Sequence, residues 1–164
     1  MTGALRPILD RWPLFAGLAS AAMLAAAHAF ERFGGLAPCT LCLRQREVYW
    51  VALAVAVVGL LAARWPASRR WIALALALVF AVGVGVAVYH AGAEWKFWPG
   101  PSTCASTGGA VSAGDLLAAL GGKVKPPACD EAAWVFLGLS MAGWNALISL
   151  GLTAFSVMAA RTRR

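Results

Sequence analysis

Charge is what this sequence has least of. Only 13% of its 164 residues are Asp, Glu, Lys or Arg, and seven are acidic, against about 25% charged in an average soluble domain. No charge falls inside any of its long apolar runs, which excludes an ordinary water-soluble fold. The chain still carries a net charge of +7, but its basic residues punctuate the ends of apolar runs. A nucleic-acid footprint needs them gathered on one face, so nucleic acid is not an expected partner. Four cysteines are too few for a disulfide-rich secreted scaffold. A second close cysteine pair, the usual complement of a structural zinc site, is also missing. Neither His28 nor His90 has metal-type spacing to Cys39 and Cys42, so no metal is expected. No internal repeat divides the chain. What remains is 61% hydrophobic residues and a mean hydropathy of +0.72, the composition of one integral membrane domain over residues 1–164.

A hydrocarbon core of about 30 Å takes about 20 apolar residues as a helix. Four runs qualify, at about 12–30, 48–63, 71–89 and 134–160, the second longer if it begins near the cysteines. Helix is the only local structure in which each segment satisfies its own backbone in lipid. The fold class expected is therefore all-α, an antiparallel four-helix transmembrane bundle in a lipid bilayer. Gly83, Gly85 and many alanines would allow close helix approach. The last run is long enough that it must tilt or emerge into the interface. Ala27-His28-Ala29 resembles a small-x-small cleavage site, but the apolar run before it exceeds a typical signal-peptide core, so an uncleaved first helix is expected.

Lys and Arg near the segment ends set orientation. Arg6, Arg11, Arg64, Arg69, Arg70, Arg161, Arg163 and Arg164 crowd three short stretches, whereas Arg32, Arg44, Arg46, Lys96, Lys123 and Lys125 are spread over two longer ones. Both termini are thus expected in the cytoplasm, with loops 31–47 and 90–131 outside. All four cysteines lie in those two loops, on the side where disulfides persist. The connection from Arg64 to Arg70, with Pro66, reads as a tight turn. The second outer loop begins with Trp95, Phe97, Trp98, Pro99, Gly100 and Pro101, an interfacial aromatic belt or a docking surface. Ser112 and Asp115 then read as a capping box, and Leu116, Leu117 and Leu120 before Gly121-Gly122 suggest a short helix lying on the membrane surface.

The chemistry sits in Pro38-Cys39-Thr40-Leu41-Cys42-Leu43-Arg44-Gln45-Arg46. Two intervening residues allow a reversible disulfide within one turn of chain. A thiolate is the reactive species, and a helix N-terminus or a cation raises its population. If helix begins near Cys42, Arg46 lies one turn on and on the same face, a permanent cation for a thiolate. Arg44 points elsewhere. His28, on an alanine-rich helix, reads as a hydrogen-bonded packing residue, and His90 as a helix-end histidine or a further site residue. Four cysteines permit three pairings. Pairing within each loop gives two sites that can exchange, and crossed pairings then serve as intermediates. The resting pattern stays open at this point.

Pro38-Cys39-Thr40-Leu41-Cys42 with Gln45-Arg46, the loop around Tyr89-His90, Pro101-Ser102-Thr103-Cys104, and Cys129-Asp130-Glu131 leading into Trp134 and Phe136-Leu137-Gly138-Leu139-Ser140-Met141 resemble the bacterial disulfide bond formation protein B (DsbB) family. The resemblance runs from the first helix to the fourth. It implies an inner-membrane thiol:quinone oxidoreductase that reoxidises a periplasmic DsbA-type dithiol oxidase and passes electrons to ubiquinone or menaquinone. By position it implies that Cys104 is the sulfur attacked by the reduced partner and that Cys129 is its mate. Cys39 would exchange with that pair, Cys42 would face the quinone, and Arg46 and His90 would belong to the quinone site. Arg44, Glu47 and Val48 depart from the family pattern close to that site. Two other readings compete. One resembles vitamin K epoxide reductase, a quinone and thiol enzyme whose functional pair, however, lies near the start of a late helix. The other is a non-enzymatic scaffold with disulfides as loop staples.

Overall fold

The computed structural model describes residues 5–101 and 128–162. A short helix α1 (Arg6–Asp10) leads into α2 (Trp12–Arg32), α3 (Thr40–Leu61) and α4 (Pro66–Glu94). A two-stranded hairpin, β1 (Val135–Phe136) and β2 (Leu139–Ser140), precedes α5 (Met141–Arg161). The segments 12–32, 40–64, 68–94 and 141–161 are long and apolar enough to cross a membrane, as the composition requires.

The helices pack as an antiparallel bundle in which α4 lies along α5 and α3 bridges α2 and α4. Small residues set the approach. A Cβ added to Gly83 would stand 3.1 Å from Val48 Cγ1 and 3.3 Å from Ser149 Oγ, so this glycine admits both neighbours. A Cβ added to Gly85 would meet nothing within 4 Å, so it is not a packing glycine, contrary to expectation. The core runs through Leu9, Trp12, Ala16, Ala52, Leu76 and Phe80, and Trp12 Nε1 donates to Ser156 Oγ at 2.9 Å. Outer faces present Leu18, Trp50, Leu61, Trp71 and Leu78, the inverse of a soluble bundle.

Element boundaries depart from the sequence expectation in three places. The second span begins at Thr40, the longer of the two starts the sequence allowed, because residues 40–48 are themselves amphipathic at helical period. Leu41, Gln45 and Val48 are buried, while Leu43, Arg44 and Glu47 are exposed. Between α3 and α4 there is a 3-10 turn (Ala62–Arg64) and one extended residue, not a loop reaching Arg70. Arg69 and Arg70 lie in the first turns of α4, and the Arg69 guanidinium donates to Ala63 O at 2.9 and 3.2 Å, satisfying a carbonyl of that 3-10 turn.

The third departure concerns both ends of the second outer segment. α4 continues past Tyr89 to Glu94, so His90 is a buried helical residue and not part of a loop. The helix stops at Lys96, in left-handed conformation (φ 62°), and the aromatic stretch folds back. Trp98 Nε1 donates to Tyr89 O at 2.8 Å, and its ring stacks on Tyr89 over Gly92, where a Cβ would come within 2.0 Å of the indole. Trp95 and Phe97 remain exposed. At the other end, the apolar run expected to start the fourth helix at Trp134 forms the hairpin instead. Its turn uses Leu137 (φ 51°) and Gly138 (φ 80°), and both residues at positive φ are the mark of a hairpin turn. Ser140 then caps α5, accepting from Gly143 N at 3.1 Å. The capping box at Ser112 and the surface helix after it lie outside the described residues, as does Cys104.

Candidate functional site

Gly34 and Gly35 (φ 63°) end α2 and release the chain toward Pro38. Cys39 is extended and caps α3, its Sγ accepting from Cys42 N at 3.3 Å, the role a polar cap usually fills. The cap holds both thiols on one turn. Cys39 and Cys42 are free, and the Cys39 thiol donates to Cys42 Sγ across 3.1 Å, leaving about 1 Å of approach to an S–S bond. That shared proton, reinforced by burial, holds the Cys39 thiol well above the ordinary cysteine range. Cys42 is therefore the sulfur placed to act as acceptor within the pair.

Cys129 comes from the far end of the second outer segment and is fully buried against Cys39 and Leu41. It is disulfide-bonded. Gly100 flanks it at 3.8 Å from a built Cβ, and Lys96 Nζ to Asp130 Oδ2 at 2.8 Å ties its neighbour to the end of α4. Two cysteines close in sequence and one that is distant thus meet in one small cluster.

His90 Nε2 lies 3.6 Å from Cys39 Sγ and 3.7 Å from Glu94 Oε1. Sequence spacing gave no reason to bring His90 to the cysteines; the extra helical turn of α4 does so. Behind the ring runs a buried polar chain. His90 Nδ1 is 2.7 Å from Gln45 Nε2, Asn145 Nδ2 donates to Gln45 Oε1 at 2.5 Å, Tyr49 OH donates to Asn145 Oδ1, and Tyr49 OH meets Ser149 Oγ at 3.1 Å. With Asn145 donating to the Gln45 carbonyl, the Gln45 amide donates to His90 Nδ1. The ring proton then sits on Nε2, facing Cys39 and Glu94. Glu94 has an unusual position: its Oε2 is buried without a hydrogen-bond partner among the described residues.

Arg46 shares the helical face of Cys42, as the spacing predicts, and both line the same cavity. Its hydrogen bonds go elsewhere, Nη1 to Glu31 Oε2 at 2.5 Å and Nη2 to Ala27 O at 3.1 Å, anchoring α3 to α2. Arg44 pairs with Glu47 at 2.8 Å on the exposed side, so two departures from the family pattern are turned away from the cavity. His28 Nδ1 is 2.8 Å from Leu24 O in its own helix, the packing role expected.

The cavity measures about 710 Å³ and is walled by α2, α3, α4, the hairpin and α5. Met23, Leu24, Phe30, Trp134, Trp144 and Ile148 give it apolar sides, while Cys39, Cys42, Gln45, Arg46, His90 and Glu94 converge at one end. Such a shape suits a flat, largely apolar molecule with a few polar atoms. Tyr49, Glu94, Asn145 and Glu31 were not singled out from sequence, and Gln45 only as part of the motif around the cysteines. The available signal was polar side chains inside or at the ends of apolar spans, which are expensive there and mark function.

Comparisons with known proteins agree in kind. The family model described as Disulfide bond formation protein DsbB matches residues 10–159. The chain is 40% identical over 146 residues to Disulfide bond formation protein B of Methylococcus capsulatus, covering 84% of this chain and 85% of that protein. It is 33% identical over 154 residues to the protein so named in Dechloromonas aromatica, covering 90% and 89%. A third similar protein of that name, from Pasteurella multocida, is 31% identical over 140 residues, with 80% and 75% covered.

Proposed function

Because the chain belongs to the disulfide bond formation protein DsbB family, we propose that it is a thiol:quinone oxidoreductase that reoxidises a DsbA-type dithiol partner. The observation that carries this reading is the meeting of Cys129, from the second outer segment, with the free Cys39–Cys42 pair at the polar end of the cavity. A scaffold stapled by disulfides has no need to stack a bonded cysteine on two free thiols beside an open cavity.

In this mechanism a thiolate of the reduced partner attacks Cys104 of a Cys104–Cys129 disulfide, forming a mixed disulfide and freeing Cys129. The second partner thiolate resolves the bond, leaving oxidised partner and two loop thiols. A loop thiolate, Cys129 being the one that packs on Cys39, then attacks the Cys39–Cys42 disulfide, and its mate closes the loop disulfide again. Each exchange breaks one S–S bond and forms one. The reduced Cys39 and Cys42 finally lose two electrons and two protons as their bond reforms.

A quinone, ubiquinone or menaquinone, would supply the acceptor for those electrons and protons. The lining fits one: apolar walls for a ring and tail, Arg46 and His90 as donors toward carbonyl oxygens, and at Glu94 a buried carboxyl oxygen, without a partner among the described residues, as an acceptor. Cys42, which lines the cavity and accepts the Cys39 hydrogen bond, is the sulfur that meets the acceptor. His90, with Nε2–H toward Cys39, orients the Cys39 sulfur.

The basic ends of the spans and the placement of the cysteines support an inner-membrane orientation with both termini cytoplasmic and the cysteines periplasmic. Purified protein with a soluble quinone should oxidise a reduced DsbA-type partner catalytically, and Cys42→Ser should reduce turnover to background. Full turnover in that variant would refute the mechanism. A thiol-trapping map with and without quinone would show whether Cys104–Cys129 and Cys39–Cys42 are the bonded pairs.

A further inference from the structure

The three atoms Cys39 Sγ, Cys42 Sγ and His90 Nε2 all lie within 4.8 Å of one another, and both thiols are free. A tetrahedral zinc ion with sulfur at ~2.3 Å and imidazole nitrogen at ~2.0–2.1 Å has an S···N edge of about 3.6 Å and an S···S edge of about 3.8 Å. The observed Cys39–His90 separation is 3.6 Å, already that edge. The two sulfurs, at 3.1 Å, need to open by several tenths of an ångström, which rotation at Cys42 can supply.

A second observation points to a ligand at the same place. Glu94, one helical turn from His90, has a side chain only 5% exposed, and its Oε2 has no hydrogen-bond partner among the described residues. The other oxygen of that carboxyl lies 3.7 Å from His90 Nε2, so the group stands next to the cysteine–histidine cluster with an acceptor to spare.

We infer that the reduced Cys39–Cys42 pair, with His90 Nε2 and the Glu94 carboxylate, binds one thiophilic divalent cation such as Zn²⁺ or Cd²⁺, and that the bound ion holds the pair out of the redox cycle. Two S–H protons leave to solvent and two metal–sulfur bonds form; no electron moves. The oxidised pair has no thiolate to offer, so binding is confined to the reduced protein. Ligation through Nε2 shifts the ring proton to Nδ1. Gln45 then presents its carbonyl to that proton, and the Asn145 amide turns with it, so the polar chain behind His90 becomes the outer support of the metal.

The test uses the full-length protein in detergent with Cys104→Ser and Cys129→Ser, so that the only thiols are Cys39 and Cys42. The reduced, desalted protein is titrated with Co²⁺ and then competed with Zn²⁺. The expected result is one Co²⁺ per chain, with thiolate charge-transfer and tetrahedral d–d bands that Zn²⁺ abolishes. His90→Ala and Glu94→Gln should each weaken binding by roughly 10–100-fold. The same chain oxidised with diamide should give no bands, a comparison independent of whether any ligand variant folds. Absence of bands in the reduced protein would overturn the inference. So would bands that survive oxidation, or an affinity unchanged in both ligand variants.

Discussion

Gln45→Leu tests whether the buried polar chain acts on the cysteines or only glues helices together. Leucine has nearly the volume of glutamine, so the substitution removes hydrogen bonds with little cavity. Two are lost: the bond to His90 Nδ1 and the one accepted from Asn145. Interhelical hydrogen bonds in membranes average about 0.6 kcal/mol, with a maximum near 1.7, which sets a stability loss of roughly 1–3 kcal/mol for the two. The bond that orients His90 accounts for one of them. If its full value is withdrawn from the step at Cys39 and Cys42, turnover falls roughly 3- to 20-fold. The assay is steady-state quinone reduction with a reduced DsbA-type partner, paired with an unfolding titration and with thiol trapping of exchange between the cysteine pairs. The expected pattern is a selective fall in quinone reduction with exchange intact and the protein folded at assay temperature. Unchanged quinone reduction, or a loss that merely tracks the folded fraction, would refute the orienting role.

Arg46→Ala removes the guanidinium from the cavity and leaves Glu31 without its partner; quinone KM should rise at least several-fold while exchange between cysteine pairs persists, and an equal loss of both would mark a folding role. The Cys39 thiol titrates well above its ordinary range, so the folded reduced protein holds a proton that the unfolded chain releases near pH 8.5. That stabilisation is complete below about pH 8.5 and is lost as pH rises above it, so unfolding midpoints of reduced protein should fall at alkaline pH relative to oxidised protein; parallel curves would contradict it. At neutral pH the same asymmetry should make Cys42 the first sulfur alkylated, read by mass spectrometry. Gly83→Leu should cost about 1–3 kcal/mol by overpacking against Val48 and Ser149, whereas Gly85→Leu, facing open space, should be near neutral in the same unfolding assay.

The architecture was legible where one physical constraint dominates. Charge-free apolar runs of membrane length forced four helices, and the spacing of Cys39 and Cys42 located the thiol pair whatever the packing. The helix start at Thr40 could be read from the period of Leu41, Gln45 and Val48, once the polar residues between them were allowed to face outward. Residues 134–140 were misread because hydropathy alone does not separate an apolar hairpin from the first turns of a helix; only Gly138, and a left-handed Leu137 that no sequence rule predicts, decide it. His90 was placed in a loop because its span already had enough apolar residues by Tyr89. The polar chain from His90 to Ser149 joins side chains on three helices, and such partners are fixed by helix rotation, which periodicity in a uniformly apolar sequence scarcely records.

The burial of Cys129 against Cys39 has a kinetic meaning. For the proposed relay, sulfur exchange between the two pairs is not an encounter between separate groups but a unimolecular event, with an effective concentration set by packing rather than by protein amount. Lys96–Asp130 and Gly100 keep the attacking and attacked sulfurs within one cluster. Diluting the protein in the membrane should therefore slow its meetings with partner and acceptor while leaving the internal hand-over first order, so the protein works as a fixed junction between two diffusing carriers.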